Sequence, residues 1–147
     1  MKDYVVSHHL YFRLDGGDNV HATTKSSDYM YFFPKEESLT LAGNTTTKSF
    51  GYGVILLQLH VSLPPTPLAP VYYCPNSSHG IISLPALRHY NKIPMVTLHA
   101  LTSLVIQYSR KSPQLSIPST QRNLLDYLYF PLYKWKTTRH LTFPSIH

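Results

Sequence analysis

Of the seven carboxylates in the chain, Asp15 alone stands where an extended segment runs straight into a tight turn, Asp15-Gly16-Gly17. The preceding residues, His9–Asp15, are rich in aromatic and branched side chains and read as a strand. A strand fixes the direction of a carboxyl group, the turn exposes its oxygens, and Gly17 lets a second such loop come close. That is a setting for general acid–base work by paired carboxylates. Asp-Gly is also a common hairpin turn, so the turn alone does not separate chemistry from simple chain reversal. The remaining acids, Asp3, Asp18, Asp28, Glu36, Glu37 and Asp126, lack the Asp-x-Gly context.

Other chemistries find less in the sequence. Nine histidines include the adjacent pair His8-His9 and the series His79, His89 and His99, but no His-Glu-x-x-His occurs. The single cysteine, Cys74, precludes an intrachain disulfide framework and any multi-cysteine zinc site, and it fits a reducing compartment. Neither a metal nor a cofactor is expected. His21 is expected to be packed or hydrogen-bonded beside the Asp15 loop, and Cys74 to pack as a small apolar residue. No Gly-x-Ser-x-Gly or phosphate-binding loop is present.

The elements that would position Asp15 are short strands. Twelve prolines, twelve tyrosines and six glycines favour strands and turns over a helical bundle. A break is expected at Phe33-Pro34, and Ser38–Ala42 with Thr45–Phe50 form a hairpin tipped by Gly43-Asn44. Gly51-Tyr52-Gly53 permits a bulge or bend in the second arm. Leu57, Leu59, Val61 and Leu63 alternate with polar residues as a half-buried strand would, ending at Pro64-Pro65. Val71–Tyr73 and Gly80–Ile82 are further strands, and Pro85 suits the start of a short helix over Leu84–His89. Pro94–Tyr108 fits either a strand or a short helix.

The stretch Leu14-Asp15-Gly16-Gly17-Asp18-Asn19-Val20-His21-Ala22-Thr23 resembles the active-site segment of copia-type retrotransposon proteases, the retropepsin-like domain of a Gag-Pol polyprotein. That family reads Leu-Asp-Ser-Gly-Ala, two variable positions, then His-x-Thr, and Asp15, Gly17, His21 and Thr23 fall in step with it. Val71-Tyr72-Tyr73-Cys74-Pro75, followed by His79-Gly80-Ile81-Ile82-Ser83 and Leu87, is similar to the family's later block. Between the two blocks lies the Gly43-Asn44 hairpin, where the family places its flap. The resemblance spans roughly Tyr11 to Leu87. It implies an all-β fold, a small retropepsin-like acid-protease barrel with a flap hairpin and at most one or two short helices.

It also implies an aspartic endopeptidase with Asp15 as catalytic residue, and Leu14, Gly16, Gly17, His21 and Thr23 around it. With one Asp-x-Gly per chain, the second aspartate comes from a second copy, so activity requires a homodimer acting on a peptide or polyprotein. The family's setting implies a cytoplasmic retrotransposon particle. Two positions depart from the pattern. Gly16 replaces the Ser or Thr whose hydroxyl ties the two catalytic loops together, and Asp18 replaces a small apolar residue. Weak dimerisation and low proteolysis are expected in consequence.

Charge divides the chain. Residues 1–87 hold five Lys/Arg against six Asp/Glu, whereas residues 88–147 hold eight against one. A protease domain over residues 1–110 and a basic, aromatic-rich tail or polyprotein linker over 111–147 are expected, with the domain remaining folded without the tail. Arg122, Lys134, Lys136 and Arg139 interleave with Tyr127, Tyr129, Tyr133 and Trp135. This gives the alternative reading, an inactive retroelement-derived fragment that is structural or binds nucleic acid, using its basic C-terminal part. No segment is long and apolar enough to span a bilayer, so no membrane partner is expected.

Overall fold

The computed structural model describes residues 3–15, 19–41, 45–91, 93, 95–99, 103–122 and 125–136. Among the described residues, eleven strands, one 3-10 turn and one six-residue helix make up the architecture, which is all-β as expected. Strands β1 (Tyr4–Asp15), β2 (His21–Thr23), β3 (Tyr31–Leu41) and β4 (Thr45–Leu57) are followed by β5 (Thr66–Tyr73) and β6 (Gly80–Ser83). Helix α1 (Leu84–His89) comes next, then β7 (Met95–His99), β8 (Ser103–Gln107), β9 (Leu115–Pro118), β10 (Thr120–Arg122) and β11 (Leu125–Trp135).

The main sheet runs in the order β10-β11-β1-β6-β2-β5-β4-β3, and β11 also pairs with β4. That last contact, Leu132 opposite Leu57 and Tyr133 opposite Leu56, closes β11, β1, β6, β2, β5 and β4 into a ring. The Gln58 N–H donates to the Pro131 carbonyl at 3.1 Å across the same seam. β7, β8 and β9 form a separate antiparallel sheet. One apolar core serves both sheets: Phe12, Ile55, Leu57, Leu68 and Ile82 share it with Leu104, Ile106 and Ile117, and with Leu128, Phe130 and Leu132.

Local sequence explains the hairpin of β3 and β4. Pro34 cannot donate to a ladder, yet β3 runs through it, because β3 is the sheet's edge and the register shifts between Pro34 and Glu37. The break expected at Phe33-Pro34 is therefore an irregularity inside a strand. Gly53 makes the close approach of β3 and β4 possible, since a Cβ there would sit 1.9 Å from the Tyr31 carbonyl oxygen. The Ala42-Gly43-Asn44 tip lies outside the described residues, but the pairing of Leu41 with Thr45 brings the two arms to its threshold.

Two expectations are corrected, and one left open is decided. The alternation from Leu57 to Leu63 does not make a strand: β4 stops at Leu57, Leu59 is buried, and Val61 is 86% exposed in a turn where the Leu63 N–H donates to the His60 carbonyl. The ambiguous stretch Pro94–Tyr108 resolves into the β7–β8 hairpin. Lastly, residue 110 marks no edge of the core. β11 pairs with β1 from Tyr4 opposite Trp135 to Phe12 opposite Leu128, and its inward side chains lie at the centre of the molecule. The Trp135 Nε1–H donates to the Met30 carbonyl and the Lys136 N–H to that of Asp3, fastening the far end of β11 as well. The basic residues that made this segment look like a tail flank or end the strand, and tyrosines alternate with the apolar residues that bury it.

Candidate active site

The two sequence blocks flanking the hairpin meet in space. β1 and β6 lie side by side in parallel, with Phe12 opposite Gly80, Arg13 opposite Ile81, Leu14 opposite Ile82 and Asp15 opposite Ser83. Gly80 serves this contact, because a Cβ there would press on the Phe12 ring at 2.8 Å. Ser83 then turns the chain into α1, its hydroxyl accepting from the Ala86 N–H at 3.1 Å as an N-cap. Asp15 is thus the last residue of a strand flanked by β11 and β6. Its backbone is described. Its carboxyl group, together with Gly16, Gly17 and Asp18, lies outside the described residues, as do Gly43 and Asn44 of the hairpin tip. Leu14 packs against the main core.

β2 brings the rest of the first block to the same place. It runs parallel to β5, His21 opposite Val71 and Thr23 opposite Tyr73, and touches β6 through Ala22 and Ile81. Thr23 is buried, and its hydroxyl donates to the Lys25 carbonyl at 3.2 Å. Cys74 packs with Ala22 and Ile81, where burial pushes its thiol up to about 11 and keeps it protonated.

His21 joins the blocks. It is fully buried, and its Nδ1 accepts from the Ser83 N–H at 3.0 Å. Its Nε2–H donates to Asn91 Oδ1 at 2.7 Å, while the Asn91 amide donates to the Ala69 carbonyl at 3.2 Å. Both ring nitrogens are therefore satisfied only in the neutral Nε2–H form. A second proton would turn Nδ1 from acceptor to donor against a backbone donor. Burial accordingly lowers its pKa from 6.5 to about 4, with the Asn91 contact opposing. Asn91, seventy residues away, carries no sequence signal for this role.

The sign of this shift sets a pH dependence. The unfolded chain takes up the proton near 6.5 and the folded one only near 4, so the stabilisation is complete above pH 6.5 and is lost as pH falls towards 4. Between pH 7.5 and pH 4.5 the loss is expected to be roughly 2–3 kcal/mol. Urea unfolding at the two pH values measures it. His21→Gln, whatever its effect on absolute stability, should flatten the dependence by that amount; an unchanged slope would show that His21 does not report on it.

A second ionisable group escaped the sequence reading. Asp28, in a 3-10 turn over Ser26–Asp28, is buried, and burial raises its pKa. His8, Lys25 and Lys134 act in the other direction. His8 Nε2 stands 3.5 Å from Asp28 Oδ1, an ion-pair distance at which that oxygen receives no hydrogen bond. His8 stands seven residues before Asp15 on β1, roughly 23 Å along an extended strand, so this pair lies well away from Asp15. Among the described residues no three His, Cys, Asp or Glu side chains gather closely enough to hold a metal ion. Comparison with protein-family models, with curated proteins and with solved structures finds no match to this chain.

Proposed function

We propose that the chain is an aspartic endopeptidase of the retrotransposon type, acting as a homodimer in which each copy supplies Asp15. The observation that carries this reading is the parallel pairing of β1 with β6. It sets side by side the two sequence blocks that resemble the family, although some sixty residues of chain separate them. Further support comes from the long β3–β4 hairpin between the blocks, suited to closing over an extended peptide, and from the ring of strands that gives β1 neighbours on both sides.

In the proposed reaction two Asp15 carboxyl groups share one proton, because two adjacent negative charges cannot both persist. The ionised member takes a proton from water as the water oxygen attacks the scissile carbonyl. The protonated member donates to the carbonyl oxygen; as the tetrahedral species collapses, the carboxyl that took the water proton gives it to the departing amine nitrogen and the other carboxylate recovers a proton from the diol. His21 acts at one remove, holding the start of α1 and β2 in register through Ser83 and Asn91.

A dimeric site makes the rate depend on protein concentration. Cleavage of a peptide library at pH 5 should rise with the square of chain concentration below the dimer dissociation constant and linearly above it. Sedimentation over the same range should show the matching shift in mass. A first-order rate at all concentrations from a monomer would overturn the two-copy site.

A further inference from the structure

A different face of the molecule carries chemistry that the proposed peptidase does not use. β1 and β11 turn Leu10, Phe12, Leu128 and Phe130 inwards, which sends His9, Tyr11, Arg13, Tyr127 and Tyr129 to the outer surface. There the rings form a continuous row. Tyr129 stacks on His9 at 4.8 Å and lies 4.2 Å from Tyr11, which meets Tyr127 edge-on at 6.1 Å. The Arg13 guanidinium sits 5.5 Å above the Tyr127 ring, and His79, from the loop before β6, meets that ring from another side. Tyr129 is 43% exposed, so the row is accessible from solvent at this ring.

The row borders a cleft of about 400 Å³, within the range of small-ligand pockets. Tyr11, Tyr127 and His79 belong to both. Other lining residues supply polar groups: the Lys25 ammonium, the Thr24 hydroxyl, the His8 imidazole, and the Ser78 hydroxyl, which is hydrogen-bonded to His79 Nδ1 at 2.8 Å. Among the described lining residues Asp28 is the only acid, and its carboxyl is buried behind His8. Flat π-faces beside a strip of ammonium, guanidinium and hydroxyl donors match one ligand chemistry well. Bases stack on the rings while the phosphodiester backbone takes the donors. An acidic peptide would use the donors but leave the rings idle, and a duplex keeps its base faces covered.

We infer that the outer face of β1 and β11, with the cleft between Lys25 and His79, is a binding platform for single-stranded nucleic acid. The platform is independent of the peptidase reading, since it makes no use of Asp15.

The test is fluorescence anisotropy with the full chain and three labelled probes: a twelve-nucleotide uridine RNA, the corresponding thymidine DNA, and a duplex of equal length. Unlabelled inorganic polyphosphate serves as competitor. Both single strands should bind, and affinity should fall about tenfold between 50 and 200 mM salt if some three phosphates are contacted. Removing one stacking ring with Tyr129→Ala should weaken binding about tenfold or more, and Tyr129→Phe should restore it. Tyr129→Leu, which retains a strand-forming side chain, gives the same readout should the alanine variant fold poorly. Lys25→Ala should reduce the salt dependence. Asp15→Asn should bind as the parent does, which separates failure of the platform from failure of the peptidase reading. The inference is overturned if neither single strand binds at 50 mM salt, or if the duplex binds as tightly. It also fails if polyphosphate competes as well per charge as the oligonucleotide, or if Tyr129→Leu binds unchanged, since the tyrosine row would then serve only to hold β1 against β11.

Discussion

A chain ending at residue 110 is expected to lose its cooperative melting transition altogether. The deletion removes β9, β10 and β11, and with β11 the whole partner of β1 from Tyr4 to Tyr11; only Phe12–Asp15 would keep a neighbour, in β6. It also empties the core of Leu128, Phe130 and Leu132, each at most 1% exposed in the intact fold, and of Ile117. Burial of each such side chain is worth about 1.5–3 kcal/mol. Four of them together match the whole net stability of a typical domain, about 5–15 kcal/mol, before any lost ladder hydrogen bonds are counted. The graded version is Phe130→Ala, expected to cost about 3–5 kcal/mol. Calorimetry of the truncated chain and urea unfolding of the point variant measure the two. A sharp thermal transition in the 1–110 chain would show that β11 is dispensable.

The largest expected effect on activity comes from Asp15→Asn. An amide can neither take the proton from water nor share one across the dimer axis, and in a homodimer the change strikes both halves of the pair. General acid–base catalysis is worth about 10²–10⁴-fold, so cleavage should fall at least that far while the urea midpoint stays near that of the parent. Gly16→Ser should work in the opposite direction. A hydroxyl after the aspartate adds a hydrogen bond in each of two subunits, each worth about 0.5–1.5 kcal/mol, so the dimer should tighten by roughly 5–150-fold. Serine also narrows the backbone freedom of a loop whose geometry must be fixed for the dyad. Adding Asp18→Ala removes a like charge where two loops approach, and should tighten the dimer further. Peptide cleavage and sedimentation of the four proteins decide the matter. Undiminished cleavage by Asp15→Asn would remove Asp15 from the chemistry. An unchanged dimer in Gly16→Ser would show that the missing hydroxyl is not what limits association.

What the sequence made legible was local. The hairpin of β3 and β4, strand β6, and helix α1 with Pro85 in its first turn all follow from short signals of turn chemistry and propensity, and the structure has them where those signals lie. The spatial meeting of the two blocks was suggested by resemblance alone, because nothing in residues 12–15 announces a parallel partner beginning at Gly80. β11 was misread for a definable reason. A half-buried strand shows itself by alternating apolar with polar residues, but here the outward positions hold Tyr127, Tyr129 and Tyr133 while the inward ones hold Leu128, Phe130 and Leu132. With both faces apolar or aromatic the period vanishes, and the flanking lysines and arginines dominate the impression. The reverse error occurred at Leu57–Leu63, where alternation is real but β4 stops at Leu57 and the chain turns between His60 and Leu63. Asp28 was invisible because a carboxylate next to exposed Ser26 and Ser27 looks solvated; only the fold buries it.

The ring of strands fastens Tyr4 against Trp135, residues far apart in sequence, which has a consequence for how the molecule comes into being. Contacts between residues so far apart in sequence can be made only after a large loop has closed, and domains built on them fold slowly. During synthesis β1 emerges well before its main partner β11. Until the ribosome has released the residues near 135, the first strand must wait with the ladder groups of Tyr4–Tyr11 unsatisfied and aromatic side chains in water. The nascent chain spends that interval as an open edge, the state in which β proteins are most prone to pair with one another.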